Sequence, residues 1–269
     1  MYQTIGFIGT GNMGSAVARA AAESGLAQAI LLANRTFTKA SSLAEELPGA
    51  VLSSNEEIAR TAQLIFLGVK PQMMELVLDS LGTIFRKRED RFVLVTMAAG
   101  LSCRRIQDML DMECPVIRMM PNTPAAIGAG VVQYCGQGVT MDELDSFAAL
   151  IAPAGLVDPV SEGLIDAASA VSGCGPAFAY LFMEALADGG VACGLPRDKA
   201  MAYAAQMLAG SARMVLESGK HPGALKDAVC SPGGTTIQGV RTLEERGFRA
   251  AAMDAVIAAY EKTVSLSKK

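Results

Sequence analysis

The stretch Gly6-Phe7-Ile8-Gly9-Thr10-Gly11-Asn12-Met13-Gly14 decides the fold, because it is a complete G-x-G-x-x-G run with an apolar lead-in. Residues 4–8, which lead into the first glycine of the motif, predict a short buried strand, and the Ala-rich residues 15–23 predict a helix. Gly9 then permits a tight turn, Gly11 lets the backbone approach a pyrophosphate, and Gly14 lets helix and strand pack closely. The alternative, an ordinary glycine turn, would need neither the strand before it nor the helix after it. The combination therefore predicts a dinucleotide-binding unit, with the pyrophosphate at the helix N-terminus.

The residues after the second predicted strand (29–33) indicate which dinucleotide is bound. In NAD-binding units an Asp or Glu about 20 residues after the glycines binds the ribose 2′-hydroxyl. Here the strand is followed by Asn34-Arg35-Thr36, which contains no acid. A carboxylate would repel a 2′-phosphate, whereas Arg35 offers a planar set of donors and Asn34 and Thr36 offer neutral ones. The sequence favours NADP(H) over NAD(H); the alternative is that Arg35 is only a solvated loop residue.

Composition and charge exclude several classes of partner. The chain of 269 residues has a net charge of −4 and no basic block, so neither nucleic acid nor an anionic membrane is an expected partner. The first residues form a strand rather than a signal peptide, and the most apolar window, 177–187, is too short for a bilayer and contains Glu184. Six scattered cysteines without a C-x-x-C pair indicate reduced thiols, so we expect a cytoplasmic protein.

The single histidine, His221, limits the possible chemistry. No histidine cluster can build a zinc site, and a Ser-His-Asp triad would depend on this residue alone. Its context, Gly219-Lys220-His221-Pro222-Gly223, is typical of a turn or the start of a helix. We expect neither a metal site nor imidazole catalysis.

Alternating short strands and helices predict a doubly wound parallel sheet in the first part of the chain. The predicted strands after the first two are 50–52, 64–69, 92–97, 116–119, 130–135 and 156–159. From residue 163 only helices are expected, beginning near Pro176, Pro196, Leu225, Thr236 and Phe248. The sequence thus predicts an α/β protein, with an NADP-binding Rossmann domain at 1–162 and an all-helical domain at 163–269.

The helical part carries more apolar side chains than a free-standing bundle needs. They include Ala179, Leu181, Met183, Leu186, Met207 and Met214. Such helices often form a homodimer interface, although a filled intrachain core is an alternative. We expect a homo-oligomer.

Three loops follow predicted strands, where ligands bind in open α/β sheets. They are Gly68-Val69-Lys70-Pro71, Met97-Ala98-Ala99-Gly100 and Met120-Pro121-Asn122-Thr123-Pro124. The small residues of the second loop would let a nicotinamide ring lie against the backbone. Asn122 offers a rigid amide for the carboxamide or ribose, and Lys70 either reaches the ribose or substrate or is only a loop residue.

A second candidate site is Ser231-Pro232-Gly233-Gly234-Thr235-Thr236, between two predicted helices. Two glycines followed by hydroxyl residues at a helix start offer backbone N–H groups to an anion. The alternative is a capped helix with a flexible lead. A small carboxylate is the expected anion, because the glycine run near the front already serves the nucleotide phosphates.

These motifs resemble the pyrroline-5-carboxylate reductase family over essentially the whole chain. The resemblance rests on GFIGTGNMG (6–14), VKPQ (69–72), MAAG (97–100), MPNTP (120–124), VSGCGPAFAY (171–180), ADGGVACGLPR (187–197), HPGALKDAVCSPGGTTI (221–237) and LEERGFRAA (243–251). The last two are the most specific. Cys174 and Phe178 replace the family's more usual Ser and Tyr, which affects only local packing.

The resemblance implies NADPH-dependent reduction of the cyclic imine 1-pyrroline-5-carboxylate to L-proline, the last step of proline biosynthesis, with NADH as an alternative to NADPH. It also implies a homodimer or an assembly of dimers. The implied cofactor contacts are Ile8, Gly9, Thr10, Gly11, Asn12, Met13, Asn34, Arg35, Thr36, Asn55, Val69, Lys70, Ala98 and Ala99. The implied substrate contacts are Glu162, Ser231, Gly234, Thr235 and Thr236, with Thr236 as the catalytic residue.

A site without a histidine acid suits this reaction, because a protonated cyclic imine is already an electrophile and needs mainly orientation. Thr236 would hydrogen-bond the ring nitrogen while its neighbours hold the carboxylate. Two alternatives remain open. A β-hydroxyacid-type dehydrogenase requires a helical acid–base residue, for which Lys199 and Lys226 are the candidates. A non-catalytic NADP-binding regulator would use residues 231–236 only as a capped loop.

Overall fold

The computed structural model describes residues 1–267, which form two compact units. The first unit comprises Met1–Cys174 together with the C-terminal residues from Ala259, and the second comprises Gly175–Ala258. The first contains every strand of the described chain, and the second is helical.

The first unit is built on one eight-stranded sheet with the strand order β3-β2-β1-β4-β5-β6-β7-β8. Its strands are β1 (Tyr2–Ile8), β2 (Ala27–Ala33), β3 (Ala50–Leu52), β4 (Leu64–Leu67), β5 (Val93–Thr96), β6 (Val116–Pro121), β7 (Gly130–Gln137) and β8 (Gly155–Pro159). The order reverses between β1 and β4, where doubly wound sheets bind dinucleotides. The predicted Rossmann fold is confirmed.

Helices cover both faces of the sheet, which explains why its central strands are apolar without alternation. They are α1 (Asn12–Glu23), α2 (Phe37–Glu46), α3 (Asn55–Thr61), α4 (Pro71–Arg86), α5 (Cys103–Leu110), α6 (Met141–Ile151) and α7 (Glu162–Ser172). One core cluster contains residues of α1, α2 and α6, and the other contains residues of α3, α4 and α5. In the first core, Phe7 and Phe66 lie opposite each other on β1 and β4, with ring centroids 4.3 Å apart.

One pair of strands departs from the predicted parallel sheet. β6 and β7 are antiparallel, whereas the other neighbouring pairs in the described sheet are parallel. The cause is the connection, a short 3-10 helix (Thr123–Ile127) that is too short for a parallel crossover.

The second unit contains the helices predicted from the sequence, and α12 continues beyond it. The helices are α8 (Gly175–Ala192), α9 (Arg197–Ser218), α10 (Pro222–Ala228), α11 (Thr235–Glu245) and α12 (Phe248–Ser267). α9 ends as expected at Gly219, which takes the left-handed conformation with φ +63°. The division by packing falls after Cys174, because α7 packs against β6 and β7 through its buried residues Ile165 and Ala170.

The stretch Glu162–Ala192, which spans α7 and α8, is long and apolar enough to cross a membrane by length and composition. It exceeds the window 177–187 considered in the sequence, and only 11% of its most apolar segment is buried within the chain. A turn at Gly173 and Cys174 divides it into two helices. An exposed apolar surface of this extent marks an interface with protein or lipid.

Candidate active site

Three glycines bring the backbone of β1, α1 and β4 into direct contact. Gly9 has φ +101°, and a Cβ placed on it would lie 2.6 Å from the carbonyl oxygen of Gly68. A Cβ on Gly14 or on Gly68 would lie 2.2 Å from the carbonyl oxygen of Gly9. The roles predicted for Gly9 and Gly14 are confirmed. Gly68 was missed as a packing residue, although its position at the end of an apolar strand was visible in the sequence.

Gly11 differs from these three, because a Cβ placed on it would meet no atom within 4 Å. Gly11 is the N-cap of α1, no side chain caps this helix, and its first turn contains no acidic residue. The first N–H groups of α1 therefore remain open to an anion at the positive end of the helix dipole. The hydroxyl of buried Thr10 also has no hydrogen-bond partner among residues 1–267. These features fit a dinucleotide pyrophosphate.

Asn34 has a different contact from the one expected. Its Oδ1 accepts a hydrogen bond from the backbone N–H of Thr10 at 3.2 Å, and its Nδ2 donates to the carbonyl oxygen of Thr36 at 3.0 Å. Both ends of the amide are thus engaged, and Asn34 joins the glycine loop to the loop after β2. Arg35 is exposed and makes no hydrogen bond or ion pair within residues 1–267. Of the two side chains, Arg35 is the one available to a 2′-phosphate.

A cleft of about 530 Å³ lies beside the glycine loop. The lining residues are Thr10, Gly11, Asn12, Ser15, Arg19, Thr38, Lys39, Ser42, Leu43, Glu46 and Ala126. The sequence reasoning missed the residues that α2 contributes, since their direction depends on how α1 and α2 pack. The ion pair between Arg19 and Glu46, at 2.6 Å, joins these two helices at the cleft.

The other predicted cofactor residues lie at the same edge of the sheet. Register pairs join Ile8 to Ala33, Ile8 to Leu67, and Leu67 to Thr96, so the loops after β1, β2, β4 and β5 begin side by side. This edge carries Val69 and Lys70 after β4 and Ala98 and Ala99 after β5. Lys70 and Ala99 are exposed, Val69 is half-buried, and Ala98 is buried. Asn55 and Met13 are each half-buried in the first turn of a helix.

The amide of Asn122, expected to meet the carboxamide or ribose, is bonded within the protein at both ends. Its Nδ2 donates to the carbonyl oxygen of Ser172 and its Oδ1 accepts from the N–H of Val131, both at 2.9 Å. The buried amide therefore ties the end of β6 to β7 and α7.

Ser231, Gly234, Thr235 and Thr236 come together at the start of α11 in the second unit. Gly233 has φ +68°, and the N–H of Gly234 donates to the carbonyl oxygen of Ser231 at 3.0 Å. A Cβ on Gly234 would lie 2.3 Å from Ser231 Oγ, so glycine leaves room for this hydroxyl. No side chain caps α11 and no acid lies in its first turn, which favours the anion site over the capped loop.

The second unit also contains the two lysines considered as acid–base residues and the single histidine of the sequence. Lys226 forms an ion pair with Asp227, and this hydrogen bond raises the pKa of the ammonium group. Lys199 is exposed on α9. His221 caps α10, its Nδ1 accepting from the N–H of Gly223 at 3.0 Å, which confirms its predicted place at a helix start.

Glu162 lies in the first unit, in a cluster of its own. Its Oε1 accepts a hydrogen bond from the N–H of Cys103 at 2.7 Å and lies 3.9 Å from a guanidinium nitrogen of Arg118. Arg118 is 3% exposed and also pairs with Asp166. The sulfurs of Cys103 and Cys135 and a carboxylate oxygen of Glu162 lie within 4.8 Å of one another. This spacing suits a metal ion, but the adjacent guanidinium opposes a second cation there.

The Rossmann sheet, the open helix N-terminus and the acid-free loop after β2 define an NADP-dependent oxidoreductase. Family models agree with this class. Residues 162–266 match the model described as pyrroline-5-carboxylate reductase dimerisation, and residues 4–100 match the model described as NADP oxidoreductase coenzyme F420-dependent. The pyrroline-5-carboxylate reductase of Pisum sativum is 41% identical over 267 residues, covering 98% of this chain and 96% of that one. The Escherichia coli protein of the same name is 40% identical over 100% of both chains. The chain belongs to the pyrroline-5-carboxylate reductase family.

Solved structures agree with this assignment. The Plasmodium falciparum pyrroline carboxylate reductase, solved with NADP bound, matches with a TM-score of 0.85 and 32% identity, covering 98% of each chain. The Coxiella burnetii pyrroline-5-carboxylate reductase matches with a TM-score of 0.89 and 32% identity, also over 98% of each chain. The family resemblance expected from the sequence motifs is confirmed.

Proposed function

We propose that this chain reduces 1-pyrroline-5-carboxylate to L-proline with NADPH, the activity that its family membership assigns. The observation that carries the substrate assignment is the start of α11, where an uncapped, acid-free helix terminus adjoins three hydroxyl residues. Family membership selects the reductase over the dehydrogenase and the regulator, and the ion pair of Lys226 leaves a dehydrogenase without its nearest acid–base residue.

The α11 terminus would bind the substrate carboxylate. Its N–H groups and helix dipole stabilise a negative charge, and Ser231 and Thr235 supply hydroxyl donors without adding a charge. Gly234 lets the backbone and Ser231 Oγ come together. Glu162 belongs to the proposed substrate residues through the family resemblance, and its carboxylate is here bound to the N–H of Cys103.

Thr236 would orient the imine. Its hydroxyl makes no hydrogen bond within residues 1–267. It is therefore free to accept a hydrogen bond from the iminium N–H. A threonine hydroxyl is not an acid at neutral pH, so its contribution is positioning, a class of effect that reaches roughly 7–11 kcal/mol for well-held reactants.

The cofactor would bind along the sheet edge of the first unit. When bound, NADPH supplies the hydride for the C=N carbon. The open terminus of α1 would hold the pyrophosphate, and Arg35 would pair with the 2′-phosphate, while the backbone at Ala98 and Ala99 would accommodate the nicotinamide. Asn34 would act indirectly by fixing the N–H of Thr10. NADH would be accepted less well, because it lacks the group that Arg35 recognises.

We propose a homodimer, or an assembly of dimers, formed through the helical region. Leu181, Met207 and Met214 are 69%, 46% and 56% exposed, which supports the predicted interface. The dimerisation model covers the same helices, including the whole apolar stretch Glu162–Ala192. We retain residue 162 as the boundary between the cofactor domain and the substrate and dimerisation domain. All six cysteines are free, which supports a reducing compartment such as the cytoplasm.

The reaction is tested by NADPH oxidation with 1-pyrroline-5-carboxylate, against a panel of short hydroxy acids with NADP⁺. Turnover of the imine supports the proposal, whereas turnover of a hydroxy acid, or NADPH binding without any turnover, contradicts it. For Thr236→Ala we expect kcat/KM for the imine to fall about 10- to 100-fold with NADPH binding retained, as for loss of one positioned hydrogen bond.

Thr242→Ala is the matched control, because it removes the same hydroxyl from the same helix. Thr242 Oγ1 donates to the carbonyl oxygen of Gln238 at 3.0 Å and is thus already engaged. Equal kinetics for the Thr236 and Thr242 variants would reject the role of Thr236.

A further inference from the structure

The thiols of Cys103 and Cys135 form a pair across two elements. Cys103 is the first residue of α5 and is buried, whereas Cys135 lies on β7 and is half-buried. Their sulfurs lie within 4.8 Å of each other. The sulfur of Cys103 also lies 3.7 Å from the carbonyl oxygen of Val116. The reaction proposed above uses neither thiol.

The surroundings make the two thiols unequal. The thiol of Cys103 donates its hydrogen bond to the carbonyl oxygen of Val116, and the interaction between the two sulfurs lowers the pKa of Cys135 and raises that of Cys103. Arg118, the register partner of Cys135 on β6, also lowers the pKa of Cys135, whereas burial and Glu162 oppose the shift. Cys135 is thus the better nucleophile, and protonated Cys103 lies beside it.

We propose that Cys103 and Cys135 are an oxidation site at which a hydroperoxide forms an intrachain disulfide. The Cys135 thiolate attacks the outer peroxide oxygen and breaks the O–O bond. The alkoxide, or hydroxide from hydrogen peroxide, takes up the proton that Cys135 released and leaves as an alcohol or as water, and Cys135 becomes a sulfenic acid. The sulfur of Cys103 then attacks the sulfur of Cys135, which releases water and forms the S–S bond. Two thiols are oxidised to a disulfide, and one hydroperoxide is reduced.

The disulfide would link the first turn of α5 to β7. An S–S bond is about 2.05 Å long, so side-chain rotation or movement of this turn must bring the sulfurs together. The N–H of Cys103 is held by Glu162, and Ala98 and Ala99 lie in the loop just before α5. Formation of the disulfide would thus displace or restrain the segment that carries Ala98 and Ala99, two of the proposed cofactor residues.

A metal ion is the competing occupant of this cluster. It would require both thiolates and Glu162 as ligands, and it would lie next to the buried guanidinium of Arg118, 3.9 Å from the carboxylate. Removing the proton of Cys103 would also abolish its hydrogen bond to the carbonyl oxygen of Val116. Both effects oppose a metal ion, while two sulfurs within 4.8 Å of each other favour disulfide formation.

The test uses the reduced full-length protein, freed of reductant and treated with hydrogen peroxide. Remaining thiols are blocked with N-ethylmaleimide, and the products are examined by intact mass and non-reducing peptide mapping. We expect the intact mass to fall by about 2 Da before blocking and the blocked chain to carry two fewer N-ethylmaleimide groups than the untreated chain. We also expect a linked pair of peptides containing Cys103 and Cys135, and reversal by dithiothreitol. Because the readout is a mass, it does not depend on the proposed enzyme activity.

Cys114 supplies the matched control, because it is also buried and burial raises the pKa of its thiol to about 11. Cys114→Ser should still lose about 2 Da, whereas Cys103→Ser should instead gain about 16 Da at Cys135 as a sulfenic acid. The pair should also be oxidised at least about tenfold faster than Cys114. The wild-type peptide map decides the matter even if the Cys103 variant does not fold.

Two results would overturn the proposal. One is oxidation at other cysteines, such as exposed Cys193, while Cys103 and Cys135 remain unlinked. The other is one equivalent of zinc that stays bound to the purified chain through both thiols and prevents their reaction with peroxide.

Discussion

Replacing Gly14 by alanine tests the backbone contact on which the cofactor site depends. The new Cβ would lie 2.2 Å from the carbonyl oxygen of Gly9, more than 1 Å short of ordinary contact at 3.4 Å. The obstructing atom belongs to the backbone, so no side-chain rotation relieves the overlap. Either α1 must move away from the sheet or the glycine loop must change its path.

The expected cost exceeds the gain in helix propensity. In a helix interior the helix propensity of alanine is about 1 kcal/mol more favourable than that of glycine. Overpacking typically lowers the free energy of unfolding by about 1–3 kcal/mol and occasionally by more. This overlap should cost an amount near the upper end of that range, because the obstructing atom belongs to the backbone. We therefore expect a net loss of about 2 kcal/mol. At about 2–4 °C per kcal/mol for a protein of this size, Tm should fall by about 4–8 °C.

Gly11→Ala is the matched control in the same loop. A Cβ at this position meets nothing within 4 Å, and the backbone, at φ −70° and ψ −174°, is allowed for alanine. Alanine restricts the unfolded chain, which adds about 0.4–1 kcal/mol to the free energy of unfolding. Losing the glycine N-cap lowers the free energy of unfolding by a similar amount, so Tm should change little. NADPH binding should nevertheless weaken at least about tenfold, because the methyl group occupies the open space at the helix terminus.

The assays are thermal unfolding by circular dichroism without cofactor and NADPH titration by fluorescence. A Tm for Gly14→Ala within about 1 °C of the wild type would refute the reasoning from the contact distance. Unchanged NADPH affinity for Gly11→Ala would refute the location of the pyrophosphate.

Three further predictions follow from single side chains. Arg35→Ala should raise KM for NADPH about 10- to 100-fold and leave KM for NADH unchanged, as for loss of a charged hydrogen bond; equal effects on both cofactors would reject the 2′-phosphate contact. Asn122→Ala should lower the free energy of unfolding by about 1–3 kcal/mol in denaturant unfolding, because two half-buried backbone partners lose their bonds, while KM for NADPH stays constant; a large rise in KM would return Asn122 to the cofactor site. Arg91 is the main hydrogen-bond partner of Glu143 and lowers the pKa of this carboxyl from 4.5 to about 2. The ion pair therefore stabilises the fold fully above the pKa that Glu143 has in the unfolded chain, and this stabilisation disappears as the pH falls to about 2. Glu143→Gln should accordingly be less stable than wild type at pH 7 and equal to it near pH 2, and a constant difference across this range would contradict the ion pair.

The features predictable from the sequence are those that short segments encode. The glycine run, the apolar strands, the helix stop at Gly219 and the helix start at His221 depend on neighbouring residues, and the structure has them close to their predicted places. Residues 231–236 were similarly recognisable, because a helix start with glycines and hydroxyls is a local pattern.

The missed features are contacts between distant segments. Asn34 and Asn122 were expected to bind ligand, but their partners, Thr10, Ser172 and Val131, are identifiable only once the strands are arranged. The contribution of α2 to the cleft has the same origin.

The contacts among Gly9, Gly14 and Gly68 also determine how substitutions there would combine. Alanine at Gly14 and alanine at Gly68 each press on the same carbonyl oxygen of Gly9. Once one substitution has displaced this oxygen, the second meets less resistance, so the cost of the double variant should be less than the sum of the single costs. No side chain in the contact can be trimmed to compensate for either change. A laboratory-evolved reversal would therefore have to alter the path of the main chain, which makes this junction one of the least evolvable parts of the protein.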